Sequence, residues 1–158
     1  MLDCDEIIPG RLWVGGCVRE ADVVVLVRLG ITAVVSLQMD EDLEYHRVSA
    51  AALAGAYRDA GIEWRRIPTA DFNREALGRN LPQAVGQVEL AFADPEARVY
   101  LHCSVGINRA PTTAAGYMIK CRGLTAGEAY GYLVARRDCS PALDILEEYE
   151  ITARNKSL

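Results

Sequence analysis

The sequence predicts an α/β fold closed by a C-terminal cluster of helices. Three observations carry this: β-branched or apolar runs bounded by turn-forming residues, amphipathic stretches between them, and a switch after His102 to helical patterns only. In chain order, residues 12–14 make a short strand and residues 19–29 an amphipathic helix. Residues 31–37, ITAVVSL, form the first strong strand, apolar on both faces as a strand buried inside a sheet must be. Ser49 is placed to N-cap a helix over 49–60, which Gly61 stops. A strand over 62–67, a helix over 81–93 and a strand over 99–102 continue the alternation. Beyond them a helix over 109–122 ends at Gly123, a second opens with the capping box Thr125-Ala126-Gly127-Glu128, and a third covers 143–153. No repeat or linker interrupts the pattern, and Pro9-Gly10 and Ser140-Pro141 read as turns, so residues 1–158 are expected to form one domain.

With 158 residues, 51% apolar and 25% charged, the chain is large enough to bury its own core. A net charge of -5 argues against nucleic acid or an anionic membrane as partner, since such binders present a basic surface. No apolar run approaches the roughly 20 residues a bilayer span requires, and the acidic start, Met1-Leu2-Asp3-Cys4-Asp5-Glu6, is unlike a secretory signal. The five cysteines are odd in number, scattered and without a C-x-x-C pair, so neither a disulfide framework nor a zinc site is indicated. The expectation is a soluble chain in a reducing compartment: the cytoplasm, or a plastid where a transit peptide has been removed. Oligomeric state leaves no signature.

The informative stretch is His102-Cys103-Ser104-Val105-Gly106-Ile107-Asn108-Arg109, between the last strand and the helix that follows it. A loop entering a helix aims unpaired backbone N–H groups at one point, and with the helix dipole it makes an anion site. Gly106 lets the loop curl. The same electropositive point stabilises a thiolate at Cys103, the first loop residue. Six positions on, the planar guanidinium of Arg109 is placed to grip two phosphate oxygens in a bidentate fork. His102 is read as a residue that fixes the loop through backbone hydrogen bonds. Cys4, Cys17, Cys121 and Cys139 are read as ordinary free cysteines.

This H-C-x-x-G-x-x-R run resembles the active-site loop of the protein tyrosine phosphatase superfamily, and the short chain resembles its dual-specificity branch. Within that branch the chain is similar to the glucan phosphatases, of the laforin and plant starch-excess types, over roughly residues 7 to 147. Supporting pieces are Ser36-Leu37-Gln38, Asp42-Leu43-Glu44-Tyr45, Asp71-Phe72, Leu81-Pro82, Arg109-Ala110-Pro111, Cys139-Ser140-Pro141 and Leu143-Asp144.

The resemblance implies a protein tyrosine phosphatase-like fold, a central mixed sheet flanked by helices. It also implies hydrolysis of phosphomonoesters through a phosphocysteine at Cys103. Arg109 then clamps phosphate, the backbone of Ser104, Val105, Gly106, Ile107 and Asn108 binds it, and Asp71 is the general acid. Asp40, Glu41, Asp42 and Asp94 are the alternatives for that acid and are read as solvated. Phe72 corresponds to an aromatic that stacks on sugar rings. Tyr45 is the one large ring left of an aromatic pair, its neighbour here being His46. Trp13, Trp64, Tyr117 and Tyr130 are read as structural.

Val105, Asn108 and Ala110 depart from the glucan pattern or from the wider superfamily, where a hydroxyl often follows the arginine. Neither a metal nor an organic cofactor is called for. Two substrates compete: a phosphorylated α-glucan of the starch or glycogen type, and phosphotyrosine, phosphoserine or phosphothreonine in proteins. An aromatic floor around Phe72 and Tyr45 would favour the first, and a slot lined by Arg65, Arg66, Arg74 and Arg79 the second. A third reading is a binder of phosphorylated partners without turnover.

Overall fold

A single five-stranded sheet organises the computed structural model, which describes residues 1–156. Its strands are β1 (Cys4–Ile8), β2 (Leu12–Gly15), β3 (Ala33–Ser36), β4 (Glu63–Arg66) and β5 (Val99–His102), in the spatial order β1-β2-β5-β3-β4. Only β1 runs against its neighbour. The other pairings are parallel, with Gly15 and Ser36 both beside His102 at the carboxyl end.

β2, β3 and β5 are buried at every residue, which explains their continuous apolar character. Alternation still divides the two faces. Leu12, Val14, Ala33, Val35, Val99 and Leu101 face one core, and Trp13, Val34 and Tyr100 the other. The first core is closed by α4 (Arg74–Ala91), α5 (Arg109–Arg122), α6 (Ala126–Val134) and α7 (Leu143–Lys156). The second is closed by α1 (Val23–Arg28) and α3 (Ala50–Ala60). A short helix α2 (Asp40–Tyr45) follows β3.

The expected alternation and helical cluster are present, and Ser49, Gly61, Thr125 and Gly123 cap as read from the sequence. Four elements differ, the first being the helix expected over 19–29, which is a 3-10 turn over Glu20–Asp22 followed by the shorter α1. The helix expected over 81–93 begins at Arg74, where the Asn73 side chain accepts a hydrogen bond from Ala76 N at 2.9 Å. Pro82 lies inside it and costs one backbone donor, but Leu77, Leu81, Val85 and Val88 bury on one stripe and hold the helix through it. β1 was not anticipated because its first residues are polar and it is an edge strand paired only with β2. The acidic stretch read as solvated forms α2.

The consequence for function lies at the carboxyl edge of the parallel strands. There the loops leaving β2, β3, β4 and β5 converge, the place where open α/β sheets bind their ligands.

Candidate active site

The loop from Cys103 to Asn108 joins β5 to α5, and its carbonyls show how it is held. His102 Nδ1 donates to Cys103 O at 3.0 Å, and Cys17 N to Ser104 O at 2.9 Å. Arg137 donates to Val105 O at 3.0 Å and to Gly106 O at 2.8 Å. Ser140 N donates to Ile107 O at 2.7 Å. Five consecutive carbonyls are therefore pinned to the surrounding scaffold. In a planar trans peptide each N–H points opposite to the carbonyl it shares a plane with. The N–H groups of Ser104, Val105, Gly106, Ile107 and Asn108 accordingly turn to the other side of the loop, where they form a nest for an anion.

Gly106 is obligatory in this geometry. Its φ is +68°, and a Cβ there would lie 2.6 Å from Arg137 Nη2 and 2.7 Å from the Gly15 carbonyl.

The Cys103 residue is 2% exposed, at the start of the loop on the side of the helical core. His102, one residue earlier, falls on the opposite face beside Tyr100, ring centroids 5.4 Å apart. Burial lowers the His102 imidazole to about 4, and the nearby positive charge of Arg109 acts in the same direction. The ring is thus neutral, and because a carbonyl only accepts, its proton sits on Nδ1. That proton ties the ring to the first carbonyl of the loop. The other four thiols are pushed up, chiefly by burial, Cys121 to about 11, so none of them offers a ready thiolate.

Arg109, 2% exposed, is the first residue of α5. Its Nη1 donates to Asp42 Oδ2 at 2.8 Å and to Thr69 O at 2.9 Å, while Nη2 lies 3.2 Å from Asp71 Oδ2. Among the described residues Nε is buried without a hydrogen-bond partner. The guanidinium is anchored by one nitrogen and presents the Nε/Nη2 edge as its usable fork, occupied on one side only by Asp71.

Asp42 is a correction to the sequence reading. Expected in solvent, its side chain is only 18% exposed and holds Arg109. It also accepts Met39 N at 2.8 Å, so one carboxylate caps α2 and fixes the arginine. The only signal for it was its membership of Asp42-Leu43-Glu44-Tyr45. Gln38 was also missed: its Nε2 donates to Ser104 Oγ at 3.1 Å from the loop after β3.

Asp71 follows β4, and its second oxygen accepts Phe72 N at 3.0 Å. Phe72 is 99% exposed with φ of +55°. Together with Asn108, Arg109, Leu77 and Ala142 it lines a cleft of about 190 Å³. Tyr45, 84% exposed, ends α2 one turn beyond Asp42 and stands against the edge of His46. Val105 and Ile107 also expose their side chains. The four arginines proposed as a basic slot are each neutralised: Arg65 by Glu63, Arg66 by Asp40 at 2.9 Å, Arg74 by Asp144 and Arg79 by Glu75 at 3.9 Å. Trp13 is buried and Trp64 packs on Tyr57, as structural aromatics do.

Residues 12–149 match the family described as dual specificity phosphatase, catalytic domain. The chain belongs to that family. This phosphatase domain is 32% identical over 140 residues to the phosphoglucan phosphatase DSP4, amyloplastic, of Castanea sativa, covering 86% of this chain and 37% of that one. It is 26% identical to laforin of Mus musculus, over 90% of this chain and 46% of that one. With the dual specificity protein phosphatase Mpk3 of Drosophila melanogaster it shares 26%, over 90% and 32%. The domain thus spans about a third to a half of these relatives. Among solved structures, PTPMT1 in complex with PI(5)P superposes with a TM-score of 0.81 at 20% identity, covering 99% of this chain and all of that one. The active form of Tk-PTP gives 0.78 at 23%, covering 94% and 97%. These confirm a protein tyrosine phosphatase-like fold for the domain. Among its described residues no helix is long and apolar enough to cross a membrane.

Proposed function

We propose that this domain hydrolyses phosphomonoesters through a phosphocysteine at Cys103 and that its substrate is a phosphorylated α-glucan. The observation carrying the chemistry is that the five carbonyls from Cys103 to Ile107 are held by the scaffold, which turns the five N–H groups between Cys103 and Arg109 the other way. A phosphoryl group seated there meets the sulfur from below, with its equatorial oxygens on the peptide N–H groups and on Nε and Nη2.

Phosphate binding takes over the Nη2 contact of Asp71, and that carboxyl group turns to the leaving oxygen. Cys103 Sγ forms the S–P bond as the P–O bond to the sugar breaks. Asp71 gives its proton to the departing alkoxide, which is otherwise a poor leaving group. In the second half Asp71 takes a proton from water, the water oxygen bonds to phosphorus, and the thiolate leaves. Ala110 supplies no hydroxyl to assist that departure, so phosphoenzyme is expected to accumulate as a burst.

The substrate reading is supported by the rim. Phe72 and Tyr45 expose whole rings, and Val105 and Ile107 add apolar surface. The four arginines read as a basic slot are each paired with a carboxylate, which leaves those four less charge for an acidic phosphopeptide. Pyranose faces are apolar and suit such a rim. Such a substrate would be met in the cytoplasm or in a plastid.

The second reading, a protein phosphatase, is favoured by the likeness to Mpk3. Parallel measurement of phosphate release from amylopectin and from a phosphopeptide panel separates the two. Release from amylopectin that falls when Phe72 is replaced by Ala supports the glucan reading. Release from peptides alone refutes it. A binder without turnover is eliminated if the wild type cleaves an aryl phosphate and Cys103→Ser does not.

A further inference from the structure

Behind the loop, on the side away from the pocket, lies a second buried guanidinium. Arg137 follows α6 by three residues and is 5% exposed. A guanidinium has five N–H donors, and here each has an acceptor. Nε–H goes to Gly106 O at 2.8 Å. Nη2 serves Val105 O and Asp3 Oδ2, both at 3.0 Å. Nη1 serves Asp3 Oδ1 at 3.2 Å and Asp5 Oδ2 at 2.9 Å. Asp3 is tied in again through its own carbonyl, which accepts Gly16 N at 2.9 Å beside the loop.

Two features make this more than a buried ion pair. The carbonyls it holds belong to the peptides whose N–H groups are those of Gly106 and Ile107, both in the nest. A cation on the carbonyl side fixes the plane of each peptide and polarises its N–H toward the pocket, strengthening it as a donor to an oxyanion. The two carboxylates that hold the cation come from β1 and the residue before it, ahead of residues 12–149 that match the family. They hold both Nη atoms of Arg137 in place.

We propose that Arg137 is a positioning residue for phosphoryl transfer, acting through Val105 and Gly106, and that the edge strand β1 and the residue before it tune it through Asp5 and Asp3. The inference rests on the reading above that the loop receives the transferred phosphoryl group. A lysine has three donors on one nitrogen and cannot bridge two carbonyls and two carboxylates at once, so charge alone does not suffice.

The test uses the full chain with Arg137→Lys, Arg137→Met and the double variant Asp3→Asn/Asp5→Asn. Three quantities are measured: kcat and KM on 4-nitrophenyl phosphate, the Kd for orthovanadate, and Tm. Arg137→Lys is expected to stay folded, to weaken vanadate binding about tenfold or more and to lower kcat more than it raises KM. The double variant, which keeps the arginine, is expected to shift the same quantities by about threefold.

A Tm loss with vanadate affinity and kcat/KM unchanged would show a purely structural role and overturn the proposal. Full rescue by lysine would do the same. Should Arg137→Lys and Arg137→Met fail to fold, the double variant decides: unchanged vanadate affinity there overturns it. Wild type that binds vanadate but shows no Cys103-dependent turnover refutes the function, while the vanadate arm still reports on Arg137.

Discussion

Asp42 Oδ2 accepts a hydrogen bond from Arg109 Nη1 at 2.8 Å, so the guanidinium that would face phosphate is held from behind by a carboxylate on a different element. Asp42→Asn keeps an oxygen for Met39 N and removes only the charge. Loss of one charge-assisted bond of this kind costs about 1.5–3 kcal/mol, so kcat/KM on an aryl phosphate should fall about tenfold or more. Asp40→Asn, an exposed neighbour paired with Arg66, should change little. Equal effects from the two would show that Arg109 does not depend on Asp42.

Replacing Asp71 by Ala should hurt substrates in proportion to how badly their leaving group needs a proton. Turnover of a sugar phosphate should fall about a hundredfold or more, within the usual range for acid–base catalysis, and that of 4-nitrophenyl phosphate far less. Similar losses on both would mean that a different group is the acid.

Gly106 and Gly61 separate backbone strain from collision. Both have positive φ, +68° and +70°, but a Cβ at Gly61 meets nothing within 4 Å while one at Gly106 meets Arg137 and Gly15. Gly61→Ala should therefore cost about 1 kcal/mol of stability, and Gly106→Ala about 2 kcal/mol or more. Chemical denaturation of both variants measures the difference. Indistinguishable values would mean that the loop moves to accommodate the methyl group.

His102 predicts a pH dependence of stability. Burial lowers its imidazole to about 4, whereas an unfolded histidine titrates near 6.5. Between these values the unfolded chain binds a proton that the folded chain refuses. The stability that His102 contributes is thus fully present above about pH 6.5 and lost as pH falls toward 4. The total is on the order of 3 kcal/mol. His102→Asn should flatten the decline of Tm over this interval. An unchanged slope would show that carboxylates alone produce it.

The chemistry-bearing loop was legible because its logic is local. Cys103, Gly106 and Arg109 lie within one strand-loop-helix unit, so their spacing alone suffices to propose a thiol, a nest and a guanidinium for one site. The buried strands were legible for a similar reason, since an apolar run records burial on both faces. Asp42 was not, because an acidic residue among acidic neighbours looks solvated until the fold places it against an arginine 67 positions away. The start of α4 was hidden behind Pro82, whose local preference is overruled by the stripe packed on α5.

The sequence by itself determined the α/β order and singled out Cys103 as the proposed nucleophile and Arg109 as the proposed phosphate clamp, all of them written in neighbouring residues. Tertiary structure alone decided how those groups are held: Asp42 on Arg109, and Asp3 on Arg137 across 134 positions. Charges pair through space, and no periodicity along the chain records which distant partner a buried guanidinium will meet once the sheet has formed.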